Sequence, residues 1–217
     1  MKKIAVVLAG CGHKDGSEIT EAVSLIIELS RAGYELSFFA PNRDLVVRDP
    51  ITSAATGEHR NILKESARIC RGKIEALDKL DVAKFDALAF PGGSGVATNL
   101  CNWAEKGASG ELLPEVSTSI LSFYQAKKPI AAICISPVLL AKALGRVGAM
   151  VTIGDDLETA QEVEKTGAKH KKCSVTETCV DVSHKLVTTP AYMFDHAKPH
   201  EVFTGISKLV KDLGTLF

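Results

Sequence analysis

The sequence predicts an α/β fold built on a mainly parallel sheet with helices on both faces. Short apolar runs alternate with amphipathic stretches of helical period along the whole chain. No repeat, low-complexity tract or dividing linker interrupts that alternation, and 217 residues suffice for one sizeable core. The expectation is therefore a single domain over residues 1–217.

The elements follow in order. Residues 3–9 read as a buried strand and 18–31 as a helix closed by Gly33; 35–40 form a second strand, stopped by Pro41. Residues 42–58 carry little periodicity and read as a long connection. A helix is expected over 61–70, broken at Arg71-Gly72. Residues 85–90 form a strand running into Pro91-Gly92-Gly93, and 112–126 a helix with Pro114 in its first turn. A strand over 130–134 leads into a helix at 137–144. Residues 149–153 read as a strand and 157–166 as a helix ended by Gly167. A strand pair at 178–181 and 185–188, turning at Ser183-His184, lies at a sheet edge, and a helix from 199 to 212 closes the chain.

Composition removes several function classes. Lys plus Arg and Asp plus Glu number 26 each, so no net field favours nucleic acid or an anionic membrane. The opening apolar run, 4–9, is too short for a membrane span and flows into the first strand, so neither a signal peptide nor a membrane partner is expected. The six cysteines form no CxxC pair or zinc pattern. No metal and no cofactor are expected, and unpaired cysteines fit a reducing, cytoplasmic setting.

Chemistry concentrates at Cys134. The apolar strand stops there, a helix signal follows at once, and the residues two before and two after it, Ala132 and Ser136, are small. That is the steric demand of a nucleophile elbow, in which a sharp strand-to-helix turn presents one reactive side chain. Ser136 suits the cap and Pro137 the first helical turn, and the helix N-terminus favours thiolate. The competing reading is a cysteine buried at a strand end. Two other strand ends carry unusual chemistry: residues 10–18 after the first strand and 91–95 after the strand at 85–90. In an open parallel sheet such ends converge where strand order reverses. Backbone amides of Gly92 and Gly93, with that of Ile135, form a candidate oxyanion hole. Neither a phosphate loop nor a dinucleotide fingerprint fits, because the required lysine and third glycine are missing. Glu18 and Glu21 share one face of a first helical turn; one of them is the candidate acid and base for Cys134, the alternative being complementation of the helix dipole. His13 is placed at the pocket mouth, and His170 approaches either the pocket or a strand edge.

Seven segments together resemble a known family. GCG-x-x-DGSEI-x-EA at 10–22, RNIL-x-ESARI-x-RG at 60–72, FPGG-x-G at 90–95 with NL at 99–100, CI-x-P at 134–137, TIG at 152–154, GA-x-H at 167–170 and VTTPAYM at 187–193 occur in order. The chain resembles the ElbB family of glyoxalase-like proteins over nearly its full length. That family has the class I glutamine amidotransferase-like fold and is similar to the Parkinsonism-associated deglycase and intracellular protease superfamily. The resemblance implies a flavodoxin-like three-layer sandwich and a reactive Cys134. It also implies conversion of glyoxal to glycolate without glutathione or metal, and a link to isoprenoid biosynthesis. It maps the carboxylate partner onto Glu18, with Glu21 second. Ser94 and Ser136 depart from the family's Phe and Ala and imply a more polar pocket. An apolar face on the first helix suits a homodimer. Two further readings stay open: a redox-responsive or small-molecule-binding protein with an oxidisable Cys134 and little turnover, and a hydrolase, which lacks an evident histidine base.

Overall fold

The computed structural model describes residues 1–217. In chain order the elements are β1 (Lys3–Val7), α1 (Ile19–Arg31), β2 (Glu35–Ala40), β3 (Asp44–Arg48), β4 (Ala55–Asn61), α2 (Ile62–Ser66), β5 (Glu75–Ala76), β6 (Ala87–Phe90), α3 (Trp103–Lys106), α4 (Pro114–Gln125), β7 (Ile130–Ile133), α5 (Pro137–Leu144), β8 (Met150–Val151), α6 (Leu157–Lys165), β9 (Lys169–His170), β10 (Cys179–Asp181), β11 (Leu186–Thr189) and α7 (Pro199–Gly214). A π-helical turn, Val96–Leu100, follows the glycine loop after β6.

Seven strands form the main sheet in the order β10-β11-β7-β6-β1-β2-β5, parallel throughout except for β10 against β11. The central strands β1, β6 and β7 are apolar and almost wholly buried, as strands covered on both faces must be. Their register sets Val6 beside Ala89, and Ala89 beside Ala131. One face packs against α1 and α7, whose Leu25, Leu29, Ile206 and Leu209 meet Ile4, Val6 and Ile133. The other packs against α4 and α5, through Ile120, Phe123, Leu139 and Leu140 against Leu88, Phe90 and Ile130. This three-layer arrangement carries the ends of β1, β6 and β7 to one edge of the core.

Three expectations change. Residues 42–58 are not a plain connection: β3 and β4 form an antiparallel hairpin, with a register shift between Val46 and Arg48. β3 does alternate buried and exposed positions, but β4 is polar and exposed and contains Gly57 at φ +81°, so it lacks a strand signature. The helix expected over 61–70 closes after Ser66; Asn61 caps it through its side chain, and turns follow. The strand expected at 149–153 shrinks to β8, which leaves the main sheet and pairs with β9.

Candidate active site

The backbone bends sharply at the end of β7. Cys134 has φ +62°, a left-handed conformation that strains any residue with a Cβ. Three contacts hold it there. Its N–H donates to the Thr189 carbonyl at 2.9 Å, the N–H of Ser136 donates to the Ile133 carbonyl at 3.0 Å, and the Ser136 hydroxyl donates to the Pro91 carbonyl at 2.6 Å. Ser136 stands at the cap position of α5, yet its side chain ties the elbow to the β6 loop and makes no cap. It is fully buried, so of the two serine departures only Ser94 makes the pocket more polar.

The loops after β1 and β6 lock against each other under the sulfur. Glu18 N–H donates to the Gly92 carbonyl at 2.9 Å and Ser94 N–H to the His13 carbonyl at 2.8 Å. This close approach explains two glycines. A Cβ on Gly92 would lie 2.3 Å from the Cys134 Cβ and 2.5 Å from a Glu21 carboxyl oxygen. Gly93 has φ +107° and a Cβ there would sit 2.3 Å from the Gly16 carbonyl oxygen.

The carboxyl group against Cys134 is that of Glu21. Its fully buried side chain lies against Cys134, while Oε1 accepts the Tyr192 N–H at 3.1 Å and Oε2 the Gly92 N–H at 3.0 Å. Glu18, the first choice from the resemblance, caps α1 instead: its Oε2 accepts the Glu21 N–H at 2.7 Å. Glu21 occupies the third position of the helix, from which a glutamate commonly folds back to the cap residue's own amide. Here that amide already donates to Gly92, so Glu21 is released toward the sulfur.

Burial pushes the Glu21 carboxyl up to about 8, against the pull of the Tyr192 and Gly92 amides. Glu21 is thus mostly protonated at neutral pH. Burial and the Glu21 charge push the Cys134 thiol well above its ordinary value, whereas the Gly93 and Ile135 amides aimed at the sulfur favour thiolate. The contribution from Glu21 charge vanishes when Glu21 holds its proton. The expected donor set is accordingly trimmed: Gly93 and Ile135 face the sulfur, and Gly92 is engaged by Glu21.

Cys134 is 7% exposed and opens onto a cavity of about 470 Å³. His13, Ser94, Ile135 and Tyr192 line it, together with the charged Lys14, Arg48, Asp156 and Asp195. His170 is absent from this lining. It belongs to β9, where its Nε2 accepts the Ile153 N–H at 3.3 Å, and burial pushes its pKa down. Its place in the small β8–β9 sheet, outside the sheet that carries the elbow, corrects its assignment to the pocket. Sequence reasoning missed Tyr192, which acts through a backbone amide and needs no particular side chain for it. It also missed Arg48, hidden in the segment read as a connection. No three His, Cys, Asp or Glu side chains converge as a metal site.

A parallel sandwich with a strained cysteine at the elbow and a buried glutamate against it defines a class I glutamine amidotransferase-like protein. The chain belongs to the DJ-1/PfpI family, whose model matches residues 2–197. It is 42% identical over 220 residues to the human glutamine amidotransferase-like class 1 domain-containing protein 3, mitochondrial, covering 96% of this chain and 81% of that protein. The rat ES1 protein homolog, mitochondrial, is also 42% identical, covering 96% and 82%. A crystal structure of an Ehrlichia Chaffeensis isoprenoid biosynthesis protein with amidotransferase-like domain superposes with a TM-score of 0.93 at 38% identity, covering 100% of this chain and 99% of that one. Both mammalian relatives are named mitochondrial, which overturns the cytoplasmic location expected from cysteine usage. Unpaired cysteines report a reducing environment and carry no address.

Proposed function

We propose that this protein is an ElbB-type glyoxalase that converts glyoxal, or a related small dicarbonyl, to the hydroxy acid with Cys134 as nucleophile and Glu21 as proton carrier, using neither glutathione nor metal. The observation that supports this most is the buried Glu21 carboxyl set against Cys134, whose backbone is held in a left-handed bend. The Cys134 S–H adds across one aldehyde: the S–C bond forms and the proton passes to the carbonyl oxygen, giving a hemithioacetal. The Gly93 and Ile135 amides stand beside the sulfur, where negative charge develops on that oxygen.

Glu21 in its ionised form removes the C–H proton from the sulfur-bearing carbon, and an enediol forms. The same proton returns to the neighbouring carbon, leaving a thioester of the hydroxy acid. Water cleaves the thioester and restores the thiol, so glyoxal plus water becomes glycolate and a proton. A carboxyl group at about 8 suits the proton transfer, being a stronger base than an ordinary carboxylate while still partly ionised at neutral pH. A mitochondrial location, suggested by the names of the mammalian relatives, and a tie to isoprenoid biosynthesis, suggested by the Ehrlichia protein, belong to the same proposal.

The test is glyoxal consumption and glycolate formation in the presence of a chelator. Cys134→Ser is expected to lose activity by about a hundredfold or more. Equal rates for the two proteins refute the catalytic assignment.

A further inference from the structure

The cavity over Cys134 is far larger than a two-carbon dialdehyde needs. At about 470 Å³ it lies in the range of sites that take drug-sized ligands. Its charges are segregated. Lys14 follows β1, and the Arg48 backbone is tied to the neighbouring Asp15, on the β1 side of β7; Asp195 follows β11 on the opposite side, with Asp156 near it because Gly154 lies against Phe194.

The two cations have no carboxylate partner. Of the other six arginines, Arg31, Arg43, Arg60 and Arg68 each meet a glutamate within 4 Å, and the unpaired Arg71 and Arg146 do not line this cavity. Arg48 reaches only the Ser53 carbonyl oxygen, at 3.0 Å from Nη1. The carboxylate of neighbouring Asp15 accepts the Arg48 backbone N–H at 2.9 Å, and the Asp15 carbonyl accepts from Asn99 at 2.8 Å. These bonds fasten the end of β3 to the loop that carries Lys14, so the backbone at both positions is held beside the cavity.

We infer that the substrate is a dicarbonyl bearing an anionic group, a carboxylate or a phosphate, which Lys14 and Arg48 bind while the reacting carbons lie at Cys134. Asp156 and Asp195 repel that group from the other end, so the molecule enters in one orientation. The identity of the reaction rests on the glyoxalase reading above; the anion site rests on the cavity alone.

The test compares 4,5-dioxopentanoate with its methyl ester, the same oxoaldehyde with and without charge. The wild type is expected to prefer the carboxylate in kcat/KM by about tenfold or more, less at high salt. Lys14→Ala and Arg48→Ala each bring that ratio toward one, and Arg48→Lys retains part of it. Equal kcat/KM for the two compounds in the wild type, or an unchanged ratio in both alanine variants, overturns the inference.

A second measurement needs no turnover: the rate at which iodoacetamide labels Cys134, read by mass spectrometry. Unreactive 4-oxopentanoate or inorganic phosphate is expected to protect the thiol at concentrations where methyl 4-oxopentanoate does not, and the more effective anion identifies the group. If neither oxoaldehyde nor glyoxal is consumed while an anion still protects, the glyoxalase reading falls and the anion site stands. If neither anion protects, the anion site falls even where glyoxal is consumed.

Discussion

Replacing Glu21 with glutamine isolates the effect of burying that carboxyl group. The substitution is best made in a Cys134→Ser background, which removes thiol titration. The Glu21 carboxyl is pushed from an ordinary 4.5 to about 8 by burial. Between those values the native state keeps a proton that the unfolded chain has released, so stability falls as pH rises. The contribution is complete below pH 4.5 and gone above pH 8. At about 1.4 kcal/mol per pH unit the whole change is roughly 5 kcal/mol, of which about 3 kcal/mol falls between pH 5.5 and 8.5. Glutamine does not titrate, but it offers one acceptor oxygen to the two amides of Gly92 and Tyr192, a loss of about 1–3 kcal/mol that does not vary with pH. Urea unfolding at several pH values is the assay. The protein that keeps Glu21 is expected to lose about 3 kcal/mol relative to the Glu21→Gln variant between pH 5.5 and pH 8.5. Parallel curves across that range refute the account of a carboxyl held neutral by its surroundings.

Other perturbations test neighbouring parts of the site. Gly92→Ala forces a Cβ against the Cys134 Cβ and the Ile133 carbonyl, neither of which can swing away, and against the Glu21 carboxyl, so destabilisation by about 2–3 kcal/mol and loss of glyoxal turnover are expected by thermal melting and product assay. His170→Ala removes the acceptor for the Ile153 amide, and about 1 kcal/mol of stability should go with it while the rate of Cys134 labelling by iodoacetamide stays within about twofold. Labelling that collapses in this variant would return His170 to the pocket. Mild peroxide followed by peptide mass spectrometry should oxidise Cys134 before Cys70 and Cys173, since only Cys134 of the three opens onto the cavity. Uniform oxidation of the three removes the basis for a redox-responsive role.

The elbow and the fold class were legible in the sequence because their signals are local. Small residues flanking Cys134, a proline in the next helix's first turn and apolar runs without alternation are each properties of a few neighbouring positions. The glycine pair after β6 was legible only in part: Gly93 does adopt the left-handed backbone that a glycine allows, whereas the Gly92 amide turns to Glu21, a contact with a residue distant in the chain. The β3–β4 hairpin was not, since β4 is polar on both faces and its pairing is fixed by β3 and the loop against which they lie.

What the sequence by itself determined is a parallel sandwich with a sulfur held at a strand-to-helix bend. Only the tertiary structure decided which acid meets that sulfur. Glu18 and Glu21 stand three residues apart on one helical turn, and nothing in that spacing distinguishes them. The choice follows from a carbonyl on a loop distant in the chain: Gly92 takes the Glu18 amide, Glu18 turns to cap the helix, and Glu21 is left to face Cys134. Tertiary packing likewise moved His170 into the small outer sheet and brought Arg48 to the cavity. Contacts between distant segments depend on how strands are ordered, and strand order is a property of the assembled core.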